Sequence, residues 1–125
     1  DIGAYYKGKV NNQIGKFMES AINQLFDAIG KDFSEWNARS GRTDKDFYGE
    51  MVDMLTVEEG SKYLKIVKTD TQASVWGFIV KEDGPKFKAG DILKAASWRK
   101  PARNKARGNI LDGGYSIRWT GPEYL

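Results

Sequence analysis

A change of hydrophobic period near residue 60 restricts the fold more than any other feature of this sequence. Between Asn12 and Ile29, the residues Ile14, Phe17, Met18, Ala21, Ile22, Leu25, Ala28 and Ile29 recur at steps of three and four. That spacing lines side chains along one face of an α-helix. Lys16, Glu19, Asn23, Gln24 and Asp27 fall on the opposite face, Asn11 or Asn12 offers an N-cap, and Gly30 offers a C-terminal stop. A shorter helix is signalled by Thr43-Asp44-Lys45-Asp46, with Thr43 as cap and acids at the positive end of the dipole. Phe47, Met51, Met54 and Leu55 would form its buried face, and Glu58-Glu59-Gly60 would close the helical half. Between the two helices, Trp36 to Arg42 reads as a polar linker that turns at Ser40-Gly41.

From Tyr63 onward the pattern belongs to strands. Tyr63 to Lys68 and Val75 to Val80 are short runs of β-branched and aromatic residues separated by a polar turn at Asp70 to Gln72, which predicts a hairpin. Alternation puts Trp76 in the core on the same sheet face as Phe78, and Gly77 marks either a bulge or the close approach of another backbone. After a turn at Glu82-Asp83-Gly84-Pro85, Asp91 to Trp98 is a third strand candidate, and Tyr115 to Trp119, following Asp112-Gly113-Gly114, is a fourth. The expected fold class is α+β, with N-terminal helices packed on a small antiparallel β-sheet of about three to five strands. A length of 125 residues predicts a single domain over 1–125, its helical half about 1–60 and its β-rich half about 61–125.

Composition removes most catalytic chemistry. With no His and no Cys, there is no Ser-His-Asp triad, thiol nucleophile, or metal site built on imidazole or thiolate. Asp44-Lys45-Asp46 lacks the spacing and glycine of a calcium loop, and no GxxxxGK[ST] or GxGxxG run occurs. Converging carboxylates of the glycosidase kind are the remaining enzymatic option. The expectation is a protein that is not an enzyme and needs no cofactor or metal. No run approaches the roughly 18 apolar residues of a membrane helix, so no membrane partner is expected. Asp1 to Tyr6 has neither a basic n-region nor an apolar h-region, so no secretory signal is expected. The lack of Cys leans towards an intracellular site.

The formal charge of +3 conceals a polarity. Residues 1–60 carry 7 Lys and Arg against 11 Asp and Glu, net −4, while residues 61–125 carry 13 against 6, net +7. Either a basic face meets an acidic partner, or the two halves attract each other within one fold. The most unusual segment is Ser97 to Asn109, which holds five cations and no acid behind a tryptophan. Pro101 and Gly108 within it argue for a loop, where binding groups concentrate. Arg99, Lys100, Arg103, Lys105 and Arg107 are candidates to neutralise phosphates, and Trp98 to support or stack on a base. Nucleic acid is therefore the leading partner. The ordinary structural alternative makes Trp98 the inward end of a strand and the cations either a solvated loop or partners of the acids between Asp44 and Glu59.

The block Gly90-Asp91-Ile92-Leu93-Lys94-Ala95-Ala96-Ser97-Trp98-Arg99-Lys100-Pro101-Ala102, the run Ala106-Arg107-Gly108-Asn109-Ile110 and the ending Trp119-Thr120-Gly121-Pro122-Glu123-Tyr124-Leu125 resemble a family of small, mostly uncharacterised proteins of tailed bacteriophages. The strand of the Ser-Val-Trp-x-Phe-Ile kind, here Ser74 to Ile79, belongs to the same resemblance, which covers roughly residues 62–125. The helical half shows no comparable likeness. What the resemblance implies is a phage origin and one of three roles: an accessory protein acting on nucleic acid in the host cytoplasm, an inhibitor that binds a host protein, or a minor virion component.

Overall fold

The computed structural model describes residues 15–122, with side chains from residue 18 onward. It is an α+β fold: two helices, α1 (Gly15–Arg39) and α2 (Phe47–Met54), precede strands β1 (Leu55–Glu59), β2 (Tyr63–Thr69), β3 (Ala73–Val80) and β4 (Ile92–Leu93). These strands form one antiparallel sheet in the order β1-β2-β3-β4. A separate ribbon pairs β5 (Ile117–Arg118) with β6 (Gly121–Pro122).

Helix α1 runs nine residues past the expected stop at Gly30. The apolar stripe continues through Phe33, and Gly30 serves contact instead of termination. A Cβ there would lie 2.9 Å from both Tyr48 Cδ2 and Val52 Cγ2, so the bare backbone lets α2 pack against α1. The helix ends where Asn37 donates to the Phe33 carbonyl (2.9 Å) and accepts from Arg42 Nε (3.1 Å), and Gly41 takes the left-handed backbone (φ 81°). The turn at Ser40-Gly41 is thus as expected, but Trp36 to Arg39 are helical. The N-cap expected at Asn11 or Asn12, and the stripe residues Ile14 and Phe17, lie outside the described side chains. Asn23, expected on the solvent face, is buried at 7% exposure.

Two further expectations need correction. Asp46, not Thr43, caps α2: its carboxylate accepts from the Gly49 amide at 2.9 Å. Leu55, expected on the buried helix face, and Glu58 and Glu59, expected to close the helical half, belong to strand β1, entered directly at Leu55 (φ −92°, ψ 132°). Leu55 stands four residues from Met51, which mimics a helix face, yet Leu55 and Val57 are buried while Glu58 is exposed, the period of a strand. Met54, expected to be buried, is only half-buried.

The β2–β3 hairpin forms as expected, with a bulge. Ile66 pairs with Gly77 and Val67 with Val75, leaving Trp76 as the extra residue. The extra residue reverses alternation, so Trp76 does not share a face with Phe78. Trp76 instead joins Ile79, Leu64, Ile66 and the α1 residues Ile22, Leu25, Phe26 and Ile29 in the main core. Full burial of each such side chain is worth about 1.5–3 kcal/mol. Gly77 also meets a close neighbour: a Cβ would sit 3.0 Å from Pro122 Cγ and 3.1 Å from the Leu93 carbonyl. The opposite sheet face carries a second cluster of Phe78, Val80, Leu93 and Phe87, with Ala95 and Ala106 packed against it. The loops after β3 therefore cover the face that the helices do not.

The third and fourth strand candidates are shortened. Of Asp91 to Trp98, Ile92–Leu93 form the strand, with isolated bridges Asp91 to Asn109 and Ala95 to Pro101. Of Tyr115 to Trp119, only Ile117–Arg118 pair, and they pair with β6 instead of joining the main sheet. That ribbon is tied down where Trp76 Nε1 donates to the Arg118 carbonyl (2.9 Å) and Asp32 accepts from the Trp119 amide (2.8 Å).

Candidate nucleic-acid interface

The basic segment is built as two excursions from one irregular ladder. Ala102 N donates to the Lys94 carbonyl (2.7 Å), and the Ala96 and Ser97 amides converge on the Lys100 carbonyl (2.9 and 3.1 Å), closing a tip that presents Trp98, Arg99 and Lys100. The Lys100 amide donates back to Ser97 Oγ at 3.2 Å. The ladder resumes at Arg107, whose amide donates to the Ile92 carbonyl (2.8 Å), so the intervening chain loops out with Arg103, Asn104 and Lys105. No acid interrupts the sequence between Asp91 and Asp112.

Asn109 holds the base of this construction. Its buried amide donates to the Ala89 carbonyl and to Asp91 Oδ1, both at 2.9 Å, and its oxygen accepts from the amides of Leu111 (2.8 Å) and Asp112 (3.0 Å). Asp91 Oδ2 accepts from the Lys88 amide at 2.9 Å. Both side chains are buried and each has its polar atoms occupied, so the loop stands on a rigid footing.

Trp98 is exposed at 44%, outside the strand, so it is not the inward end of one. The Lys65 ammonium lies 4.4 Å from its ring centroid. None of Arg99, Lys100, Arg103, Lys105 and Arg107 has a carboxylate partner among the described residues. Of the six acids from Asp44 to Glu59, four are engaged elsewhere: Asp46 caps α2, Glu50 meets Lys45 (3.1 Å), Glu58 meets Lys65 (3.7 Å) and Glu59 meets Lys81 (2.7 Å). The last two pairs join the acidic and basic halves without drawing on the loop.

The five cations are not equivalent. Arg99, Lys100, Arg103 and Lys105 are exposed. The Arg103 guanidinium lies 5.7 Å from the Phe87 ring centroid, and the Arg103 carbonyl accepts from Lys86 Nζ. Arg107 is half-buried and turns inward, donating from Nη1 to Asn104 Oδ1 (3.2 Å) and the Lys105 carbonyl (3.1 Å). It shapes the second excursion. Mutual repulsion among exposed cations is screened to about 1 kcal/mol or less per close pair, and a bound anion would remove it.

A family of unknown function, DUF7717, matches residues 4–118. The chain belongs to that family. The match takes in the helical half as well as the segment that carries the basic loop. Comparison with curated proteins and with solved structures gives no match. Among the described residues, no helix is long and apolar enough to cross a membrane, and no group of three or more His, Cys, Asp or Glu is placed to hold a metal ion.

Sequence reasoning passed over four residues that frame this surface: Lys62, Tyr63, Lys65 and Lys86. Tyr63 and Lys65 were readable as neighbours on one strand face, since they stand two apart in a run of period two. Nothing in the sequence announces that Lys65 meets Trp98 from a strand 33 positions away, because that contact depends on which sheet face the later loop covers.

Proposed function

We propose that this protein is a non-enzymatic, phage-encoded accessory protein that binds nucleic acid through the basic double loop. The observation that carries the proposal is the set of loop cations, none paired with a carboxylate among the described residues, beside a tryptophan exposed at 44%. Exposed Lys and Arg neutralise phosphates and release counterions, and an aromatic face offers a base a stacking surface worth about 1–3 kcal/mol. Arg99, Lys100, Arg103 and Lys105 contact phosphates, Trp98 stacks, Lys65 backs its ring, and Arg107 holds the loop shape. The tailed-phage resemblance of residues 62–125 supplies the setting, the cytoplasm of an infected host.

A gel shift with generic single- and double-stranded DNA and RNA at low ionic strength tests the reading. The wild type is expected to shift at least one class, and an Arg99→Glu/Arg103→Glu/Lys105→Glu variant to shift none. Arg107 is left intact because its loss would disturb the loop. Equal binding by the reversed variant would remove the loop from the account.

One observation favours a second reading, docking to a host or virion protein. Trp36 is exposed at 40%, stacks with Phe33 (centroids 6.5 Å apart) and meets Trp119 at a tilt of 52° (5.3 Å), beside the Arg42 guanidinium at 5.3 Å. Aromatic residues and Arg are enriched in protein interfaces. A polyanion-indifferent protein would shift the weight to that end of the molecule.

A further inference from the structure

Beneath the basic loop the sheet face is hollowed into two adjacent clefts of about 370 Å³ each, within the size range of ligand sites. They share a wall of Ser61, Lys62 and Tyr63. Each excursion of the loop overhangs one of them: Arg103 lines the first cleft and Arg99 the second. Tyr63 borders both, its ring held edge-on to Phe78 with centroids 6.0 Å apart. The cations at the rim are thus accompanied by an aromatic wall inside.

The clefts also contain carboxylates. Glu58 and Glu59 in the second are neutralised by Lys65 and Lys81. Glu82 and Asp83 in the first are exposed and keep acceptor capacity, Asp83 Oδ1 accepting from the Ala89 amide at 2.9 Å. Cations and carboxylates lining the same clefts suit a ligand that is anionic along its backbone and rich in N–H donors on its bases. An unstacked nucleotide offers both partners: a phosphate for the cations, and the exocyclic amine of cytosine, adenine or guanine for a carboxylate. A duplex does not, since its bases are already paired and it is read by protein elements that project into its grooves.

Building on the reading above, we infer that the ligand is single-stranded nucleic acid, with neighbouring bases in the two clefts against Tyr63 and their phosphates on Arg99 and Arg103. Fluorescence anisotropy with labelled oligo(dC), oligo(dT) and a mixed-sequence duplex, each of about 12 nucleotides, tests it on the full chain. The single strand is expected to bind at least about tenfold tighter than the duplex, and oligo(dC) tighter than oligo(dT), which has no exocyclic amine. Tyr63→Leu is expected to weaken oligo(dC) binding about tenfold and to leave duplex binding unchanged. Arg99→Glu, at an exposed position, is expected to weaken oligo(dC) binding as well and guards against misfolding of the Tyr63 variant. A duplex bound as tightly as a single strand, oligo(dT) bound as tightly as oligo(dC), or wild-type affinity in both variants overturns the cleft assignment. If the triply reversed loop variant still loses binding in that case, the polyanion reading survives. Indifference of the wild type to every probe overturns both.

Discussion

At the residue scale, four polar side chains report how the fold treats hydrogen-bonding groups withdrawn wholly or partly from water. Asn23 places its amide nitrogen and oxygen in the interior with no partner for either among the described residues. Such a group carries its desolvation cost without compensation, so Asn23→Leu is expected to raise unfolding free energy by about 1 kcal/mol, read from the midpoint of a urea titration. Asn109 is the opposite case, with every polar atom engaged. Asn109→Ala takes a partner from Asp91 Oδ1, the Ala89 carbonyl and two amides and is expected to cost about 2–3 kcal/mol by the same measurement. Asp27 shows how pH enters. Burial pushes its pKa up, but the bonds from Tyr48 Oη (2.5 Å) and from Lys31 outweigh it, and the carboxyl sits below its ordinary value. A carboxyl lowered in the folded state adds stability that is present above its unfolded pKa and is lost as pH falls through the folded one. The stability gap between wild type and Tyr48→Phe is therefore expected at neutral pH and to close on acidification, followed by thermal melts across that range. Tyr115 runs the other way: burial, then the Asp27 charge, raise its pKa, so its contribution is present below its ordinary value and fades as pH climbs through the raised one.

At the element scale, two glycines in regular structure mark close approach. Gly30 lies inside α1, where Ala would ordinarily gain about 1 kcal/mol in helix propensity. Here the added methyl meets Tyr48 and Val52 at 2.9 Å, so Gly30→Ala is expected to lower the melting temperature, opposite to the propensity rule. Gly77→Val would press on Pro122 and the Leu93 carbonyl and is expected to destabilise by about 2 kcal/mol or more. The period of three and four was legible as α1 and the period of two as the β2–β3 hairpin, because each core face is wide and continuous. Strand β1 was not, since five residues between a helix and a turn are too few for either period to declare itself. The bulge at Trp76 was not either: alternation assumes one residue per rung, and only the pairing of Ile66 and Val67 with their neighbours shows that a residue has been added.

For the whole molecule, the opposite charges of the two halves are only partly settled internally. Lys65 with Glu58 and Lys81 with Glu59 bridge the halves, while Arg99, Lys100, Arg103 and Lys105 are exposed. If Arg99, Lys100, Arg103 and Lys105 each neutralise one phosphate, a plot of log affinity against log salt for a single strand is expected to have a slope of about −3. A slope near zero would remove the phosphate contacts from the account. The basic loop itself was legible as a run of five cations without an acid, and so was Trp98 at its head. That the acids of the helical half would leave those cations free was not, because both outcomes fit the same composition.

By itself the chain determined its long first helix, the antiparallel β2–β3 hairpin and the position of its basic segment, since each follows from local period, turn residues or composition. Only the tertiary structure decided which acids pair with which bases, that the loop covers the face the helices leave open, and that Arg99 and Arg103 overhang clefts walled by Tyr63. Those are contacts between distant positions, set by register, one bulge and the packing of faces, and no local pattern encodes them.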